Sequence, residues 1–180
     1  HLTLILALFI STLMFSTSVS AKNVEKLLER NGLCYEPYTT KPYTGTFKEY
    51  YPQSPYSNQR SLKEIRTYKN GKLDGEFIEY GYFGTEDIYH KRILQNYKDG
   101  KLDGEYNNYF ATGDVNVVGN YKDGKLEIDA NYRNNALHDF YKEYHKNGTL
   151  AIDTNYRDDV LHGNYEEYDN NGTSVMRTLY

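Results

Sequence analysis

Along much of this chain apolar and polar residues alternate with a period of two. Stepping by twos from Leu102 reaches Gly104, Tyr106, Asn108 and Phe110, while the intervening positions are Lys101, Asp103, Glu105 and Asn107. A period of two is that of a half-buried strand, because successive side chains leave a pleated backbone on opposite faces. The alternation is broken at short, regular intervals by turn signals. One set is Asn70-Gly71, Asp99-Gly100 and Asp123-Gly124, degenerating to Asn134-Asn135 and Asp158-Asp159. The other is Thr112-Gly113, Asn147-Gly148 and Asn171-Gly172. Asn-Gly and Asp-Gly suit two-residue hairpins, in which both central residues take positive φ. These turns fall alternately about 11 and 13 residues apart, too close for helices between them. The pattern predicts an all-β chain, an antiparallel meander of hairpins in a single sheet.

Pairing across Asp99-Gly100 sets Lys98 opposite Lys101 and Tyr97 opposite Leu102, and Phe110 is expected to meet Val115, followed by Val117 and Gly119. One face is then largely apolar. The other, holding Lys101, Asp103, Glu105, Asn107, Asp114 and Asn116, is expected to be polar. The register recurs through Tyr132, Leu137, Tyr141, Leu150 and Ile152, and again through Tyr156, Leu161, Tyr165 and Met176.

The pattern is also a repeat. The phrase Tyr68-Lys-Asn-Gly-Lys-Leu-Asp-Gly returns in full or in part at Tyr97, Tyr121, Tyr132 and Tyr156, and Tyr180 opens another; the intervals are 29, 24, 11, 24 and 24 residues. Self-similarity on this scale marks a repeat array. The unit is 24 residues, with one insertion and one half-unit. The half-unit is one strand and one turn, so it reverses the direction of everything after it; the two parts are expected to differ by a change of hand, with a seam at Lys122 to Asn131. Longer irregular loops are expected at Pro52 to Ser61 and at Gly84 to Lys91, where function tends to sit.

Tyr97-Lys-Asp-Gly-Lys-Leu-Asp-Gly-Glu-Tyr, followed by an aromatic and a second turn, resembles the MORN-repeat variant of bacterial proteins in the YwqK antitoxin-like family. The resemblance covers Lys41 to Tyr180, with Lys41-Pro-Tyr-Thr-Gly-Thr-Phe-Lys-Glu-Tyr-Tyr similar to the second half of a degenerate first unit. It implies a β-meander used for contact with protein or membrane and, in some members, an antitoxin. The chain departs from it in the glycine-free turns at Asn134-Asn135 and Asp158-Asp159, in the half-unit, and in an export signal.

That signal is residues 1–21: Leu2 to Phe15 is mostly apolar, and Val19-Ser20-Ala21 before Lys22 fits the small-residue cleavage rule. The expected location is periplasmic or extracellular, or, if the segment is retained, anchored at the membrane. Residues 22–40 are expected to cap the repeats, with a short helix from Asn23 to Arg30. Cys34 is the only cysteine, which leaves an intermolecular disulfide or a buried free thiol near that helix. The net charge of −4 at pH 7, spread along the repeats, argues against nucleic acid and against an anionic membrane surface. With no Trp and 21 Tyr, tyrosine must supply much of the core.

Little here points to chemistry. His138 and His162 hold the same place in successive units, but zinc wants three or four ligands and no third recurs with them. Glu105, Glu143 and Glu167 recur at every rung, whereas an acid and base pair should sit in unlike environments. No enzyme activity, cofactor or metal is expected. The candidate binding residues are the second aromatic of each unit, Tyr50, Tyr80, Tyr109, Tyr144 and Tyr168. Each follows the core-facing aromatic by three residues, so in an unbroken strand the five form a ladder on the polar face; a β-bulge between the two aromatics would instead return them to the core. Three partners follow: another protein, through the sheet face or loops; a toxin, as the family label implies; or an envelope glycan on the tyrosine ladder.

Overall fold

The computed structural model describes residues 24–53, 55, 60–82 and 89–180; the expected export signal and the tips of both expected long loops lie outside them. The described residues form 13 strands. The first two, β1 (Leu28–Arg30) and β2 (Leu33–Tyr35), make a small hairpin, and the other eleven make one antiparallel sheet in chain order. These are β3 (Gly45–Tyr50), β4 (Leu62–Lys69), β5 (Lys72–Tyr82), β6 (Tyr89–Lys98), β7 (Lys101–Tyr109), β8 (Val115–Lys122), β9 (Lys125–Arg133), β10 (Ala136–Tyr144), β11 (Leu150–Arg157), β12 (Val160–Tyr168) and β13 (Ser174–Leu179). The meander is as the turn signals predict. Asn70, Asp99 and Asp123 have φ of 50–51° and the glycines after them 82–86°, which is type I′ geometry. Tyr97 pairs with Leu102 and Lys98 with Lys101. The inserted residues of the 29-residue unit go partly into longer strands, since Tyr82 still pairs with Tyr89.

Residues 24–30 are not helical. Asn31-Gly32 is one more hairpin turn, with φ of 52° and 73°, and it folds Leu28–Arg30 back onto Leu33–Tyr35. An eight-residue helix has too few internal hydrogen bonds to offset its nucleation. Cys34 is a free, half-buried thiol within β2. Its amide donates to the Gly71 carbonyl and its own carbonyl accepts from the Tyr43 amide, so the hairpin docks on the first repeat turn. Tyr43-Thr44-Gly45 stands where later units have Leu-Asp-Gly. The Gly71 amide donates to the Tyr43 carbonyl as the Gly100 and Gly124 amides do to Leu73 and Leu102. Thr44 Oγ1 accepts from the Asn70 amide as Asp74 and Asp103 accept from Asp99 and Asp123. Tyr43, Phe47 and Tyr68 are buried there, with Val24, Leu27, Cys34 and Leu73 against them.

Two bulges recur along the strands. After the phrases at Tyr68, Tyr97, Tyr132 and Tyr156, three residues oppose one on the preceding strand: Asp103 to Glu105, for example, lie between the pairs Tyr97–Leu102 and Gln95–Tyr106. Two extra residues preserve parity, so Tyr106 returns to the face of Leu102. Gly75, Gly104 and Gly163 occupy this bulge at φ of 116°, 110° and 85°, and Asp139 occupies it at 66°. The second bulge puts one extra residue opposite the strand end. Tyr109 pairs with Val115 and Asn108 with Val117, skipping Asn116. Phe110, expected to meet Val115, therefore lies in the turn and is 41% exposed; its amide donates to the Asp114 carbonyl.

The phrase at Tyr121 breaks the first rule. Tyr121 pairs with Leu126 and Asn120 with Ile128, so Glu127 alone is extra. Leu126-Glu127-Ile128 lacks the glycine that would support the longer bulge. One extra residue inverts parity, and Ile128, Ala130 and Tyr132 emerge on the face opposite Tyr121. Call face 1 the face carrying Tyr68, Tyr97 and Tyr121, and face 2 the other. The phrase tyrosines lie on face 1 up to the seam and on face 2 beyond it, and their turns pass to the opposite edge of the sheet. A half-turn about the axis running across the strands swaps edges and faces together. It preserves handedness, so the expected change of hand is in fact a rotation.

Candidate binding surface

Register pairs link into rows that cross the whole sheet. On face 1 one row runs Phe47, Arg66, Phe77, Gln95, Tyr106, Gly119, Asp129, Lys142, Asp153, Glu166, Arg177. As far as the seam Phe47, Phe77 and Tyr106 alternate in it with Arg66, Gln95 and Gly119; beyond the seam it is charged throughout, and there Lys142 meets Asp153 at 2.9 Å and Arg177 meets Glu166 at 2.7 Å. On face 2 the matching row runs Lys48, Ile65, Ile78, Leu94, Asn107, Val118, Ala130, Tyr141, Thr154, Tyr165, Thr178. This centre is not the polar face that alternation predicts. Ile78, Asn107, Ala130 and Thr154 are buried in it, and charge is confined to its margins.

Two residues out from these rows stand the tyrosines. On face 1, Tyr68, Tyr97, Tyr121, Tyr144 and Tyr168 follow one another on the even-numbered strands along one edge. On face 2, Tyr50, Tyr80, Tyr109, Tyr132, Tyr156 and Tyr180 follow on the odd-numbered strands and just past β13 along the other. The five candidate residues are thus divided. Tyr50, Tyr80 and Tyr109 lie on face 2, and Tyr144 and Tyr168 lie on face 1 at the opposite edge. They do not form one ladder. Each group joins the phrase tyrosines of the other half, and those were assigned to the core by the sequence pattern. The signal that could have united them is the spacing: 109, 132, 156 and 180 continue one series through the seam.

Within each of the strands β7 and β12 the two aromatics point to opposite faces. Asn107 Nδ2 donates to Glu105 Oε1 at 2.7 Å and to the Tyr109 hydroxyl at 3.3 Å, contacts two residues apart on the face away from Tyr106. In β12 the Tyr165 hydroxyl donates to Glu167 and the Tyr168 hydroxyl to Glu166 Oε2 at 2.6 Å. The Glu167 bond, with burial adding to it, pushes the Tyr165 phenol up to about 12. Bonds from Tyr168 and Arg177 hold Glu166 below the usual carboxylate range. The candidate tyrosines are half-buried except Tyr50, which is 44% exposed. Phrase tyrosines are braced edge-on by core aromatics, as Tyr121 is by Tyr106 and Tyr156 by Tyr141, with centroids 6.2 and 5.9 Å apart.

Glu105, Glu143 and Glu167 all lie on face 2, and each holds the side chain two residues before or after it. His138 and His162 border one open hollow of about 380 Å³ with Asp139, Asn155, Arg157 and Asn164. His138 Nδ1 lies 3.2 Å from Asp158 Oδ1, a turn-to-turn link in the place where Asp103 holds the next turn in the earlier unit. Among the described residues no three His, Cys, Asp or Glu are placed to hold a metal ion.

The fold and its surface define a class, a single-layer, tyrosine-rich antiparallel repeat sheet. Comparisons with family models, curated proteins and solved structures gave no match to this chain.

Proposed function

We propose that this chain is a non-enzymatic, exported repeat scaffold that works by contact with another protein. The observation that carries the reading is the aromatic half of face 1. Phe77 and Tyr106, with Ile93, Val117, Tyr97 and Tyr121 beside them, are half-buried on face 1, between Phe47, which the N-terminal residues Val24, Leu27 and Cys34 help to bury, and the charged stretch beyond the seam. A sheet normally buries such a face against another element, and an aromatic patch with charge at its rim, here Arg66, Glu64 and Glu79, is what protein partners cover. The resemblance to MORN-variant repeats supports the same reading, and a toxin is one form such a partner could take.

The test puts charge into the patch without touching its core. Gln95 and Asn108 are half-buried polar residues of face 1, so Gln95→Lys with Asn108→Lys removes no aromatic ring, though it takes away the acceptors of the Tyr97 hydroxyl and of Asn116 Nδ2. Immobilised full chain is expected to capture a protein from envelope extract that the double variant, equally folded by circular dichroism, does not. Equal capture by both would remove face 1 from the function.

A further inference from the structure

We propose that the tyrosine row on face 2 is a binding track for a neutral, linear β-1,4-linked glycan, laid across the strands with one disaccharide per tyrosine. This rests on the reading of the chain as a contact scaffold, but uses the face and edge opposite the protein-binding patch, so both could be occupied together.

Three observations select this occupant. The first is pitch. Tyr109, Tyr132 and Tyr156 stand on β7, β9 and β11, each two residues beyond Asn107, Ala130 and Thr154, which lie in one continuous row. They are therefore level and two strand spacings apart, about 9.5 Å. In a β-1,4-linked chain successive rings are turned over, so one ring face recurs at every second sugar, an interval close to that between the tyrosines. An extended peptide repeats every two residues at about 7 Å and falls out of step after one tyrosine.

The second observation is charge. The face-2 row beside the tyrosines contains no Asp, Glu, Lys or Arg from Ile65 through Thr178. Carboxylates flank it on this face, Asp139 opposite Tyr156 and Glu105 and Glu143 on the other side, and they would repel the phosphates of a nucleic acid or a polyanionic glycan. The third is side-chain chemistry. The amphipathic tyrosine ring can stack on the C–H face of a sugar while its hydroxyl and nearby groups meet the ring hydroxyls. At Tyr109 those groups are already aligned, with Asn107 bridging the phenol and Glu105. The face-1 row lacks this setting beyond the seam, where Tyr168 and Glu166 are tied into the ion pair with Arg177.

The experiment is calorimetric titration of the full chain with β-1,4-linked N-acetylglucosamine di-, tetra-, hexa- and octasaccharides. Affinity is expected to climb by roughly two- to tenfold with each added disaccharide, the range one stacked ring contributes. Tyr132→Leu with Tyr156→Leu keeps apolar bulk beneath the row and should abolish the length dependence. Tyr→Phe at both positions should restore it, and Tyr144→Leu with Tyr168→Leu on face 1 should leave it intact. α-1,4-linked oligomers, which coil, should gain nothing with length. Absent binding, affinity independent of length, equal gain from α-linked oligomers, or equal loss from the two leucine pairs would each overturn the proposal. Should no glycan bind while protein capture still depends on Gln95 and Asn108, the track is wrong and the scaffold reading survives. If neither occurs, both fall.

Discussion

Replacing Glu64 by Gln should make the protein more stable at neutral pH and remove part of its pH dependence. Glu64 lies between Glu49 and Glu79 in one cross-strand row of carboxylates on β3, β4 and β5 and is only 6% exposed. Lys63 pairs with Glu49 at 2.7 Å, Arg92 with Glu79 at 3.2 Å, and the Arg66 guanidinium touches Glu64. Burial and the hydrogen bond shared with Glu49 raise the Glu64 carboxyl to about 7, with Arg66 opposing them. Below about pH 4.5 the group is protonated folded or unfolded and costs nothing. Between about 4.5 and 7 the unfolded chain ionises while the folded one keeps its proton, so stability falls as pH rises. Above about 7 the full penalty, about 3 kcal/mol at 1.36 kcal/mol per pK unit, applies. Glu49 has the opposite sign: Lys63 and Glu64 hydrogen bonds lower its pKa, so its contribution is present above its unfolded value and lost as pH falls. Urea unfolding of wild type and Glu64→Gln at about pH 5 and pH 8, followed by circular dichroism, separates the two. The gap between the proteins should widen by up to about 3 kcal/mol toward the higher pH. A gap that stays constant would refute the assignment of the raised carboxyl to Glu64.

The remaining predictions concern packing and backbone. Gly71→Ala places a Cβ 2.9 Å from Leu33 Cβ and 3.1 Å from the Cys34 backbone at φ +82°; it should cost about 2 kcal/mol in urea unfolding and expose residues 24–35 to limited proteolysis. Asp139→Gly restores the bulge residue of the other units at a position held at φ 66° and should stabilise by about 1 kcal/mol, a gain a thermal melt will show or deny. Asn107→Leu removes a buried carboxamide oxygen that has no hydrogen-bond partner from between Leu94 and Val118. Its midpoint in urea should rise by an amount equivalent to about 1 kcal/mol, and a loss would mean that the bonds to Glu105 and Tyr109 outweigh the orphan.

The meander was legible because hairpin turns are a local matter. Asn-Gly and Asp-Gly adopt positive φ whatever surrounds them, and Tyr97 opposite Leu102 follows from the turn alone. The same signal stands at Asn31-Gly32, where the hairpin of β1 and β2 takes the place of the helix expected from Asn23 to Arg30. The five candidate tyrosines were found as a recurring type, and their grouping was not, since alternation carried across a bulge assigns faces only if the number of extra residues is known. Asn107 reads as polar and therefore outward, yet its strand neighbours Leu94 and Val118 draw it into an apolar row.

By itself the sequence determined the repeat, the strand and turn lengths and the tyrosine content, all of which depend on contacts within one hairpin. Only the tertiary structure decided which face each tyrosine occupies. That choice rests on parity. Three residues opposing one across Gly104 keep the register of faces, while the single extra residue at Glu127 inverts it for every strand that follows. Bulge size is settled between two strands, by what the partner backbone can accommodate, and a change of one residue there moves half the aromatic surface to the other side of the sheet.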